Sequence, residues 1–292
     1  MTSRSWAAIL LMCAGVGGCS KASGPSSSEA PAHVPGIPMK VGPTGHPTPQ
    51  AAAKAEVDLK KAATVPAPPL SKVEPEVVAH GPRNAKRIAL TFDACSTRDV
   101  SQYDQAVTDV LVATGAPATV FLGGLWAKEE AEHVRALAAN ALIELGNHSY
   151  THPHMTGIVS DARIEQELLR TQAEVHALTG VTPKYFRPPY GEYNDRLVRV
   201  AAAQGLTTIE YDLASGDPDV VHATKERLVE WVLRKAQPGS IIVMHINHLK
   251  FHTAEALPGI IEGLRARGYE LVTVGTLLKD THGEAKVTVV SP

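Results

Sequence analysis

The sequence predicts an α/β fold in which parallel strands and crossover helices form one closed or nearly closed barrel. From Arg87 onward, short β-favouring apolar runs alternate with segments of helical period. About seven such repeats follow one another without a second shift in composition. The runs also end in ionisable side chains, as strands lining a shared active face do. A doubly wound open sheet is the alternative, because periodicity does not distinguish closure from openness.

The 292 residues, 44% apolar and 20% charged, can bury one large core. A net charge of −2 offers no basic stripe for a phosphate backbone, so no nucleic acid partner is expected. Arg4 precedes WAAILLMCAGVGG, an apolar run too short to span a bilayer, and residues 1–18 read as a secretory signal peptide. VGGC, Val16 to Cys19, is similar to a bacterial lipobox, which implies acylation of Cys19 and a lipid anchor on the cell envelope. A plain signal peptide with an incidental cysteine is the alternative. Residues 19–84, rich in Pro, Ala, Ser and Gly, read as a tether holding one marginal helix in QAAAKAEVDLKKAA. Residues 85–292 form the expected folded domain. With Cys13 removed and Cys19 acylated, Cys95 is the one thiol left there, so no intramolecular disulfide is available.

The expected strands are RIALTFD, ATVFLGG, LIELGNH, KYFRPP, TTIEYDL, SIIVMHI and YELVTVG. Among the helices, Asp161 to Leu178 places Ile164, Leu168, Val175 and Leu178 on one face, with Gly180 as the stop. The strand ends collect chemistry: Asp93 after the first, GNHSYTHPH after the third, RPPYG after the fourth, YDLASGD after the fifth and MHINH after the sixth. His148 and His152, four apart, can face one ion if the segment turns helically. With 13 histidines in the chain, that pair alone carries little.

Together TFDAC, HSYTH, RPPYG, DLASGD and VMH, in that order between Arg87 and Leu278, resemble the five motifs of the polysaccharide deacetylase family. This is carbohydrate esterase family 4, also called the NodB homology domain. The resemblance implies a distorted (β/α) barrel of about seven parallel strands that removes N-acetyl groups from amino-sugar polymers. It implies a zinc cofactor, with cobalt or nickel in some members. It further implies Asp93 as general base, His148 and His152 as metal ligands and His245 as general acid. Arg187 would pair with Asp93, Asp217 would orient His245, and Tyr190 would offer its backbone N–H to the oxyanion. Amide hydrolysis needs these parts: an activated water, a sink for developing charge and a proton for the departing amine. Neighbours that push two pKa values apart assign the base and the acid.

Two positions depart from the family pattern. Ala94 stands where a second aspartate usually supplies the third metal ligand, and Pro218 where a tryptophan usually walls the acetyl group. Four outcomes follow from Ala94: two histidines with more water, Asp93 moving onto the metal, a ligand from Cys95 or His154, or no metal. The first two are expected. In the family pattern adjacent residues both enter the site, so the chain should turn there and leave Cys95 buried and inert. His248 and His252 are expected at the surface or along a groove. The reading is a metal-dependent N-deacetylase of the cell envelope. Peptidoglycan is favoured by location, while a chitin-like oligomer or an exopolysaccharide is also compatible. A glycan-binding lipoprotein with a decayed metal site is the rival, and an O-acetyl esterase or metal-free amidohydrolase is the third reading.

Overall fold

The computed structural model describes residues 66–96 and 102–279. The expected signal peptide, the expected acylation site Cys19 and the expected tether up to residue 65 lie outside the described residues. Among the described residues, nine strands form one parallel sheet: β1 (Val77–Val78), β2 (Arg87–Ala94), β3 (Ala118–Leu122), β4 (Ile143–Asn147), β5 (Tyr185–Phe186), β6 (Thr207–Ile209), β7 (Leu213–Ala214), β8 (Ile241–His245) and β9 (Glu270–Val272). Their order is β1-β6-β5-β4-β3-β2-β8-β7, with β9 on the first residues of β2. The sheet curls into a half-barrel with helices packed on its outer side.

Three differences from the expected strands have physical causes. KYFRPP contributes only Tyr185–Phe186, since Pro188 and Pro189 have no N–H for a ladder. TTIEYDL breaks at Glu210–Asp212 into β6 and β7, which lie toward opposite ends of the sheet order. The fold also begins earlier than residue 85: Val77 and Val78 pair with Thr208 and Ile209, and the Val73 N–H donates to the Ala202 carbonyl at 3.1 Å. The last part of the expected tether therefore belongs to the domain.

β1 and β7 are not neighbours, and the gap between them is stitched by loops. His80 bridges Ser240, and the Gly81 N–H donates to the Gly239 carbonyl at 2.8 Å. Gly239 has φ 80°, and a Cβ there would collide with the Gly81 carbonyl, so this approach requires glycine. On the crossing segment, the Asp212 carboxylate accepts from the Ile241 N–H at 2.8 Å and the Ser240 hydroxyl at 3.0 Å. Arg83 donates to it at 2.8 Å.

β2 is the centre of the domain and keeps a strict alternation. Ile88, Leu90, Phe92 and Ala94 face the helix layer and pack with Val107, Leu111, Leu257, Ile260 and Leu264. Each fully buried Leu, Ile or Phe is worth about 1.5–3 kcal/mol. The expected long helix spans Asp161–Thr179, started by Ser160 accepting from the Arg163 N–H and stopped by Gly180 at φ 75°.

Candidate active site

The alternation of β2 decides what enters the site. Thr91 and Asp93 point to the barrel interior, and Cys95 continues on the same face, lining one pocket with Asp93, His148, His152, Tyr190, Asp217 and His245. Ala94 is fully buried on the opposite face, among the apolar side chains under the helices. The expected turn after Asp93 does not occur, and Cys95 is not an isolated core thiol. Its sulfur lies 3.6 Å from His148 Nε2.

The histidine pair comes together without a helix. The stretch from His148 to His152 is an irregular loop in which Ser149 and His152 take left-handed backbone angles, φ 60° and 55°. Such angles cost of order 1 kcal/mol each in non-glycine residues and need external support. Glu167, buried in the long helix, provides it: its carboxylate accepts from the N–H groups of Tyr150 at 2.9 Å and Thr151 at 2.8 Å, and from the Thr151 hydroxyl at 2.7 Å. The Asn147 side chain caps the same loop through the Ser149 N–H at 2.9 Å. His148 Nδ1 meets the Arg187 carbonyl at 2.8 Å. A carbonyl only accepts, so Nδ1 donates to it, and Nε2 faces Asp93 and Cys95. His152 Nε2 is buried without a hydrogen-bond partner.

Asp93 is held by Arg187, which is fully buried and donates from Nη1 to Asp93 Oδ1 at 2.9 Å and to Thr91 Oγ1 at 2.8 Å. The guanidinium also lies over the Phe121 ring, 4.2 Å from its centroid. Burial alone would raise the Asp93 pKa, but Arg187, His148 and His245 outweigh it and leave the carboxyl below its ordinary range. Its second oxygen stays 3.7 Å from His148 Nε2. Burial likewise raises the Cys95 thiol, and the surrounding histidines, His152 first, bring it well below the ordinary thiol value.

Across the pocket, Asp217 organises His245. Its carboxylate accepts from the His245 N–H at 2.7 Å, His245 Nδ1 at 3.0 Å, the Thr253 hydroxyl at 2.7 Å and the Ser215 hydroxyl at 2.9 Å. Burial disfavours the imidazolium, yet the Asp217 charge and hydrogen bond hold the His245 pKa well above 6.5. His245 also sits opposite Asp93 in the β2–β8 ladder, so neighbouring strands present the two side chains side by side.

Tyr190 takes φ 62°, and its ring stacks on His154 at 4.0 Å and meets His152 edge-on at 4.6 Å. His154 turns outward to Glu192 at 3.0 Å and stays apart from the other two histidines' ligand atoms. Pro218 lines the pocket. His248 stacks on Phe251 at 4.3 Å and His252 pairs with Glu255 at 3.0 Å, both outside the pocket lining. Four residues escaped the sequence reading: Thr91, Glu167, Thr253 and Glu210. For Thr91 the two-residue spacing from Asp93 was the available signal, and for Glu210 an acid directly after the apolar Ile209 in TTIEYDL. The Glu210 carboxyl is buried, and burial, opposed by Arg187 and reinforced by Asp93, raises its pKa to about 8.

Among the described residues, Cys95, His148 and His152 form the group with ligand atoms all within 4.8 Å of one another. The orphaned His152 nitrogen and His148 Nε2, turned toward the Cys95 sulfur, make this a cradle fit for a divalent cation.

A parallel half-barrel with a carboxylate–arginine pair, a histidine–carboxylate pair and two further histidines around one pocket defines a hydrolase site. The model of the family described as polysaccharide deacetylase matches residues 80–209. The chain is 30% identical over 215 residues to a peptidoglycan-N-acetylglucosamine deacetylase of Bacillus cereus, across 72% of this chain and 75% of that protein. It superposes at TM-score 0.63 and 27% identity on the crystal structure of the Bc1960 peptidoglycan N-acetylglucosamine deacetylase, covering 70% of this chain and 92% of that one. It also superposes at TM-score 0.62 and 29% identity on a Bacillus anthracis pseudoenzyme of carbohydrate esterase family 4, covering 70% and 69%. The chain belongs to the polysaccharide deacetylase family, and is a hydrolase of that class.

Proposed function

We propose that the protein removes N-acetyl groups from an amino-sugar polymer of the cell envelope, with peptidoglycan as the favoured substrate. The observation that carries this reading is the pair of opposed couples on neighbouring strands, Asp93 with Arg187 and His245 with Asp217. Asp93, kept ionised by Arg187, accepts the proton of the attacking water. His245, kept protonated by Asp217, gives a proton to the departing amine. The Tyr190 backbone N–H is the proposed donor to the oxyanion. Bound through His148 and His152, a zinc ion would polarise water and carbonyl, and cobalt or nickel could serve in its place. Export behind residues 1–18 and acylation at Cys19 would leave the folded domain on a tether facing the wall polymer.

The test is acetate release from N-acetylglucosamine oligomers and from purified peptidoglycan, with zinc and again after chelation. Zinc-dependent release is expected. A second reading, glycan binding without turnover, is favoured by Ala94 and by the likeness to a pseudoenzyme. Tight binding of either glycan with no acetate released from folded, zinc-loaded protein would establish it instead.

A further inference from the structure

We propose that Cys95 is the third protein ligand of the metal site, its thiolate joining His148 and His152 where the family pattern uses an aspartate. The proposal rests on the metal-dependent reading above and deepens it. Because β2 keeps its pleat through Ala94, residue 94 is directed into the core, and residue 95 is the next position that reaches the pocket. The Cys95 sulfur stands 3.6 Å from His148 Nε2. Two ligands of a tetrahedral zinc ion, with Zn–S of about 2.3 Å and Zn–N of about 2.05 Å, are about 3.6 Å apart. The geometry is that of adjacent vertices around one ion. His152 supplies a third vertex through a buried nitrogen that has no other partner.

The competing candidates are otherwise engaged. His154 faces outward to Glu192, and Asp93 gives one oxygen to Arg187. With the ion on Cys95, the second Asp93 oxygen stays free to act as base. One thiolate and two imidazoles favour zinc or cobalt over magnesium, calcium or manganese, which prefer all-oxygen sites.

Cobalt(II) titration of the full chain tests the assignment, with Cys13 and Cys19 present in every sample. The wild type should show the intense near-ultraviolet sulfur-to-cobalt charge-transfer band. Cys95→Ser should lose that band and bind cobalt at least about 10-fold more weakly. Cys95→Asp should lose the band but keep the ion, which guards against a serine variant that fails to fold. Identical spectra and affinities in wild type and Cys95→Ser would overturn the proposal, as would a folded wild type that binds neither cobalt nor zinc. A cobalt–thiolate band without acetate release from any glycan would sink the deacetylase reading alone. Zinc-dependent release with a band-free cobalt spectrum would sink only the ligand.

Discussion

Around Asp217 four donors reach the two carboxylate oxygens, whereas around His152 a buried nitrogen meets no hydrogen-bond partner. The two sides of one pocket are thus finished to different degrees. The Asp217 side is assembled entirely from protein groups. The histidine side carries left-handed backbone at Ser149 and His152, and an unpartnered acceptor or donor, features that ordinarily cost stability. The contrast teaches where a ligand is needed: a satisfied network requires none, and an incomplete one is completed by what it binds.

The largest effect should come from breaking the finished side. His245→Ala should lower kcat about 10²–10⁴-fold with KM little changed, as steady-state kinetics on acetylated oligomers would measure. In the wild type, the alkaline limb of kcat should lie above the ordinary imidazole range, because Asp217 raises His245. Asp217→Asn should move that limb down. An unmoved limb would detach the acid from this pair.

Next in size is the support beneath the histidine loop. Glu167→Ala removes three hydrogen bonds to Tyr150 and Thr151 and should cost about 2–4 kcal/mol in urea unfolding. Cobalt affinity should fall with it while the His245 limb stays put. A shift of that limb instead would show that the two sides are not separable.

Glu210 interacts with Arg187, Asp93 and His148, and its effect should be of similar size at high pH but should vanish at low pH. Its folded pKa of about 8 stands above the ordinary 4.5, so the folded chain retains a proton that the unfolded chain has already released. Stability is therefore lost as pH rises from about 4.5 to about 8. Glu210→Gln should raise stability on the order of 2–4 kcal/mol at pH 8 and leave it unchanged near pH 4, by thermal unfolding across pH. Equal shifts at both pH values would contradict the protonated state. The smallest effect is expected at the rim, where His252→Ala removes an exposed pair with Glu255. Stability should change by less than about 0.5 kcal/mol and kcat not at all.

Much of this architecture was legible before any coordinates. The runs that became β2, β3, β4 and β8 are long and apolar enough to declare themselves, and the Asp161 helix announces both of its ends. Asp93, His148, His152, Arg187, Asp217 and His245 were each found at a strand end, and the fold gathers them in one place. Two-residue strands such as β1 and β7 carry no period to detect, since their pairing is decided by neighbours far away in sequence. The loop at His148 depends on Glu167, which reads in sequence as an ordinary helix acid. Cys95 was misplaced for a different reason: the family pattern argued for a turn where simple alternation along the strand was correct.

That alternation has a consequence for how cheaply the site is ordered. A cysteine sulfur is placed by one rotatable bond, while an aspartate oxygen needs two. Cys95 also directly follows a strand that is paired on both sides, with β3 and β8. Little rotational freedom is left for a binding event to freeze, so less of the interaction energy is lost to conformational entropy than with a longer arm reaching in from a loop.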